Sequence, residues 1–168
     1  MRVGVATAVA VAVASGGGGC GKDKAGYNGI GPYQVGKTTL KDARGRCDPT
    51  DLPDGRKGTW CYLQPELTVV GRPATVDLYF AGTEPSAPVI EIQLQVRGCK
   101  DDELTQWLRT HFGAPSEEHG AWIAWQSDRI YLIGELPSAP GRCLVRVLPR
   151  SERAEFERLR TKALTPAP

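Results

Sequence analysis

The sequence predicts an α+β fold: a single two-layer domain, mainly antiparallel sheet with two or three helices, stapled by disulfides. Three observations carry that prediction. Two segments alternate apolar and polar residues with the period of a strand that has one wet face. Another segment carries an apolar stripe at helical spacing between a clear start and a clear stop. Four of the five cysteines, Cys47, Cys61, Cys99 and Cys143, are spread along the chain and suit pairing in an oxidising compartment.

The clearest strand is Val89 to Val96. Ile90, Ile92, Leu94 and Val96 fall on one face, and Glu91, Gln93 and Gln95 on the other. Thr75 to Phe80 alternates in the same way, with Val76, Leu78 and Phe80 expected inward. Gly82 to Pro88, rich in Pro and Ser, predicts the loop of a hairpin between them. Further strands are expected over Thr59–Leu63, Leu67–Val70, Trp122–Gln126, Arg129–Ile133 and Cys143–Leu148, with Ser127-Asp128 as a tight turn.

Asp101 to Phe112 is the best helix. Asp101, Asp102 and Glu103 suit the positive end of its dipole, and Leu104, Trp107, Leu108 and Phe112 form one apolar stripe. Gly113 followed by Pro115 stops it. A shorter helix is expected to start after Thr38 or Thr39 and end near Gly45. A third runs from Ser151 as N-cap through Phe156 and Leu159 to about Ala163, supported by the Arg153–Glu157 spacing.

The chain has 168 residues, with 21 lysines and arginines against 19 acidic residues. That near-balance argues against nucleic acid as a partner, since phosphate recognition needs a basic surface. It argues equally against a polybasic membrane patch.

Arg2 precedes an apolar run from Val3 to Ala14, too short to span a bilayer and suited to a signal peptide. Ser15 and Gly16 to Gly19 then lead into Cys20. Small residues directly before a cysteine resemble the lipobox of bacterial lipoproteins. The resemblance implies a diacylated Cys20 thiol, removal of the preceding peptide and, usually, acylation of the new amine. Ordinary secretion, with cleavage after Ala12 and Ala14, is the competing reading. Cysteine parity favours lipidation, because it leaves four of five cysteines to pair. Each buried methylene contributes about 0.8 kcal/mol, so two or three acyl chains anchor firmly. The expected organisation is a signal peptide over 1–19, a lipidated cysteine and flexible tether over 20–31, a globular domain over 32–164 and a frayed tail over 165–168. The resemblance also implies a cell-envelope location, with the outer membrane facing the periplasm as the expected site.

The order of helix, strands, helix, strands is similar to that of small periplasmic lipoproteins such as the accessory lipoprotein of the outer-membrane barrel-assembly machinery. Val35-Gly36-Lys37-Thr38 before the first helix and Phe112-Gly113-Ala114-Pro115 after the second carry the likeness. It implies a fold and nothing more.

Gly31 to Thr38 matches the phosphate-loop pattern G-x-x-x-x-G-K-[ST]. A working loop needs a buried strand before it, and residues 21–30 are too polar and glycine-rich to supply one. No nucleotide and no cofactor is expected. Cys47, Cys61, Cys99 and Cys143 form no C-x-x-C pair, which argues against zinc or thiol redox chemistry. Three disulfide connectivities are possible. Cys47–Cys61, stapling an irregular Asp48–Gly58 loop, and Cys99–Cys143, joining two strand ends, are the expected pairs. His119 with Glu117 or Asp128 is the one cluster with acid–base potential, and it lacks a nucleophile motif. His111 suits a helix C-terminus. Trp60, Trp122 and Trp125, with Tyr62 beside Trp60, are the candidate interface residues. Trp122 and Trp125 are three apart and should face opposite sides of a sheet, one in the core and one exposed.

The expected function is therefore that of an envelope-anchored, non-enzymatic protein-interaction or assembly module, held to the membrane through Cys20 and partnered by an envelope protein. A hydrolase acting on envelope material and a proteinaceous inhibitor of an extracellular enzyme are the alternatives.

Overall fold

The computed structural model describes residues 28–165. Cys20, the signal segment, most of the expected tether and residues 166–168 lie outside the described residues. A small hairpin of β1 (Gly29–Ile30) and β2 (Tyr33–Gln34) comes first. Ile30 and Tyr33 are buried against the core.

One antiparallel sheet dominates the remainder. In spatial order it runs β3 (Arg46–Asp51), β4 (Lys57–Tyr62), β6 (Arg72–Phe80), β7 (Val89–Arg97), β11 (Arg142–Pro149), β10 (Ile130–Ala139), β9 (Trp122–Gln126) and β8 (Glu117–His119). A short β5 (Leu67–Val69) pairs with the start of β6. Val76, Leu78, Phe80, Ile92, Leu94, Val96, Val145 and Val147 point to one face, where α1 (Asp101–Phe112) seals them with Leu104 and Leu108. Burying each such side chain stabilises the fold by about 1.5–3 kcal/mol. α1 ends at Gly113, whose φ of 87° is open to glycine at little cost.

The opposite face is covered at one end only. There α2 (Arg153–Leu164) packs Phe156 and Leu159 on Trp122, Ala124, Tyr131, Ile133 and Leu148. The expected α+β domain, its antiparallel sheet and both disulfides, Cys47–Cys61 and Cys99–Cys143, are present. The two α-helices take opposite faces.

Several local expectations are corrected. The supposed loop over Asp48–Gly58 is a hairpin of β3 and β4, with Cys47 directly opposite Cys61. β3 shows little alternation because most of its residues are exposed on an edge, and Arg46, Asp48, Pro49 and Asp51 discourage further pairing there. The helix expected after Thr39 is one 3-10 turn, Leu40–Asp42, closed by Asp42 Oδ2 on the Thr39 amide and hydroxyl at 2.8 and 2.9 Å. Ser151 lies inside another 3-10 turn, Arg150–Glu152, and α2 starts without a side-chain cap. The strand expected over Arg129–Ile133 continues to Ala139. A register shift where Phe80 meets Val89 sends Val89 into the core. It also turns Ile90, expected inward, toward the outer face.

Candidate functional site

Because α2 covers only β8 to β11, the outer face of β4, β6 and β7 is left without a helix. Registers align the side chains there. Asp48 lies opposite Trp60, Trp60 opposite Tyr79, and Tyr79 opposite Glu91. In the next row Asp77 lies opposite Gln93, and Gln93 opposite Arg146. Trp60 sits between Tyr62, with ring centroids 4.6 Å apart, and Tyr79, stacked at 6.4 Å. The Trp60 indole N–H is buried with no hydrogen-bond partner. Burial pushes the Asp77 carboxyl up, and the Trp60 indole N–H pulls the other way.

The aromatic row runs into a groove of about 510 Å³ between α2 and the β3–β4 turn. Tyr79, Glu91, Gln93, Arg146 and Leu148 form its floor, with Ile90 beside them. Arg56 fastens the turn to the start of α2, reaching Asp54 at 2.5 Å and Glu152 at 2.6 Å. Arg158 lies along α2 against Glu155 at 2.5 Å. Five carboxylates, Asp51, Asp54, Glu91, Glu152 and Glu155, line the groove against three guanidinium groups. The lining is therefore acidic on balance.

Glu91 is the most unusual of these groups, at 8% exposure. Its Oε1 accepts from Arg146 Nη1 at 2.6 Å and from Gln93 Nε2 at 2.8 Å. Burial pushes its carboxyl up, and the Arg146 charge pulls the other way. Arg146 also reaches Glu135 at 3.3 Å. The arrangement can hold a cationic or hydrogen-bonding side chain against an aromatic wall.

The remaining sequence candidates fall elsewhere. Trp122 and Trp125 do face opposite sides, but they are only 4% and 5% exposed, because each side carries a helix or a strand end. Trp60 is the candidate that stays half-buried on the open face. His119 lies 3.6 Å from Glu117, whose same oxygen is 2.6 Å from Arg160 of α2. No hydroxyl nucleophile joins them in a hydrogen bond among the described residues. His111 Nδ1 lies 2.8 Å from the Trp107 carbonyl. Cys99, Asp101 and Cys143 converge, but both sulfurs are spent in a disulfide and supply no thiolate. Among the described residues no other group of three His, Cys, Asp or Glu side chains converges in this way.

The phosphate-loop pattern is folded as a hairpin turn. Gly29–Ile30 pairs antiparallel with Tyr33–Gln34, and Thr38 Oγ1 accepts the Gln34 amide at 2.8 Å. Thr38 is thus committed to the backbone, and no α-helix follows it.

Sequence reasoning missed Glu91, Arg146 and the groove. The polar alternation of Glu91 and Gln93 was visible, but polar strand residues ordinarily face water. Among the described residues no helix is long and apolar enough to cross a membrane. No family model, curated protein or solved structure matches the chain.

Proposed function

We propose that this chain is a bacterial envelope lipoprotein, anchored by acyl chains on Cys20, whose domain binds another envelope protein and catalyses no reaction. The observation that carries this reading is the uncovered half of the sheet, where Trp60, Tyr62 and Tyr79 form an aromatic row ending in an acidic groove. Aromatic side chains on a rigid sheet lose little freedom on binding, which makes them effective anchors. The partner that fits is an extended segment offering a lysine or arginine to the groove and apolar side chains to Trp60. Pairing of all four described cysteines suits the oxidising compartment that this reading requires.

Photo-crosslinking in intact cells tests the reading. A crosslinker at Tyr62 or Gln93 should trap one partner protein, and Trp60→Ala should abolish the adduct. The same probe at Gln106 on α1 should trap nothing. Equal adducts at all three positions, or none at Tyr62 and Gln93, would refute the docking face.

The alternative of an anchored hydrolase draws on one observation, the carboxyl of Glu91 raised by burial within a cavity, as a general acid requires. Hydrolysis of envelope glycan or peptide by the purified chain, lost in Glu91→Gln, would replace the binding reading with this one.

A further inference from the structure

We propose that the end of the domain carrying Lys37, Lys41, Arg44 and Leu63 lies against anionic lipid headgroups of the membrane that holds the anchor. This rests on the lipid-anchor reading of Cys20.

Charge is segregated along the chain although its total is nearly balanced. Residues 20–46 contain six lysines and arginines against two aspartates, whereas residues 47–168 contain fourteen against seventeen acids. A near-neutral total therefore hides a basic end. In the fold, Lys37, Lys41 and Arg44 line one broad, open depression of about 770 Å³ together with Pro32, Tyr33 and Pro65. All three cations are exposed, and none forms an ion pair with a carboxylate among the described residues. Asp42 is the one acid lining the depression; it accepts from Thr39 through Oδ2 and interacts with the Lys41 charge, so the lining keeps three cations against one carboxylate.

Leu63 supplies an independent observation. It is 70% exposed and holds a φ of 54°, a left-handed conformation that leucine seldom adopts. Strain of that kind in an exposed apolar residue points to a role for the side chain. Its neighbours fix it beside the cations. Tyr62 pairs with Arg46, and the Gln64 side chain accepts the Arg44 amide at 2.9 Å. An exposed aliphatic residue next to the Arg44 and Arg46 segment suits a lipid interface, where the side chain enters the acyl boundary and the charges meet phosphates.

The covalent chain places this end near the bilayer. Eight peptide steps separate Cys20 from Asn28, a reach of at most roughly 29 Å. Asn28 leads directly into the hairpin whose Pro32 and Tyr33 line the depression. The acidic groove lies at the other end of β3, about 17 Å away along six residues. With the basic end on the membrane, the groove faces away from it, open to a partner.

Vesicle partition of the full chain carrying Cys20→Ser tests the surface without the acyl chains. The readout is the ratio of partition into vesicles with 30% phosphatidylglycerol over pure phosphatidylcholine, so that the apolar run of residues 3–14 cancels. The ratio should be well above one in low salt and approach one in 0.5 M NaCl. Lys37→Gln/Lys41→Gln/Arg44→Gln should lower it about tenfold to hundredfold, at roughly fivefold per cation. Leu63→Ser should weaken binding to anionic vesicles, and Leu164→Ser, at the other exposed large apolar residue among those described, should not. A ratio near one for the parent chain, or one unchanged by the triple substitution, would overturn the proposal. Displacement by 10 mM inorganic phosphate would also overturn it, in favour of a free anion. Mass spectrometry of the wild-type chain for acylation at Cys20 reports the anchor separately, so the failure of either reading is visible alone.

Discussion

Trp122 and Trp125, three residues apart on β9, bury their indoles on opposite faces of one sheet: Trp122 beneath Phe156 of α2, and Trp125 in the core that α1 seals. Their polar handles differ. Trp125 Nε1 donates to the Gly113 carbonyl at 2.8 Å, tying the sheet to the end of α1, whereas Trp122 Nε1 is buried without a partner. Replacing each by Phe should therefore have unequal effects. Both substitutions lose ring volume, but Trp125→Phe also orphans the Gly113 carbonyl. It should cost about 1–2 kcal/mol more than Trp122→Phe in urea denaturation. Equal losses would show that the bond to Gly113 contributes nothing.

The Glu91–Arg146 pair predicts a pH-dependent defect. The folded-state pKa of Glu91 is raised above its unfolded value, so the folded state holds that proton more tightly. Stability linked to this group is greatest below the unfolded pKa and declines as pH rises through the folded one. Arg146→Met removes the countercharge and should raise the Glu91 pKa further. The loss should be about 3–5 kcal/mol at pH 8 and shrink markedly at pH 5, where the carboxyl can protonate. Adding Glu91→Gln should restore most of the stability at pH 8. A defect independent of pH would mean that packing, not charge, dominates the site.

The disulfides should differ in worth. Cys47–Cys61 closes a separation of 14 residues and Cys99–Cys143 one of 44. Loop-closure entropy then gives about 3 and 4 kcal/mol respectively. Double alanine variants compared by thermal denaturation should show the larger fall for Cys99–Cys143. Loss of Cys47–Cys61 should chiefly loosen the edge strand β3, read as faster amide exchange over residues 46–51.

Within the phosphate-loop pattern the lysine and the threonine should part company. Lys37 is exposed, and Lys37→Ala should leave stability within about 0.5 kcal/mol. Thr38 is buried and accepts the Gln34 amide, so Thr38→Val should cost about 1–3 kcal/mol. Calorimetry should detect no ATP or GTP binding at sub-millimolar ligand. Micromolar affinity lost with Lys37→Ala would reverse that expectation.

Much of the architecture was legible in the residues themselves. Period-two alternation marked β6 and β7, because a strand half in water must separate apolar from polar side chains. The acidic start, apolar stripe and Gly113 stop bounded α1 at Asp101–Phe112. Of three possible connectivities the favoured one is the one formed, although Cys47–Cys61 was expected to staple a loop and instead joins two paired strands. Interactions that one segment imposes on another were not legible. Alternation placed Trp122 and Trp125 on opposite faces, but only the packing of the helices on both faces decided that neither is exposed. Ile90 has the alternation of a core residue, and the register against β6 turned it outward. Glu91 reads as a solvated strand residue, and it is buried because Arg146, from a strand 55 residues later, folds over its carboxylate. Net charge concealed a basic end that became visible once Lys37, Lys41 and Arg44 were brought to one depression. Local periodicity depends on near neighbours in the chain. Burial, register and charge clustering depend on distant ones, and those were decided by the tertiary structure.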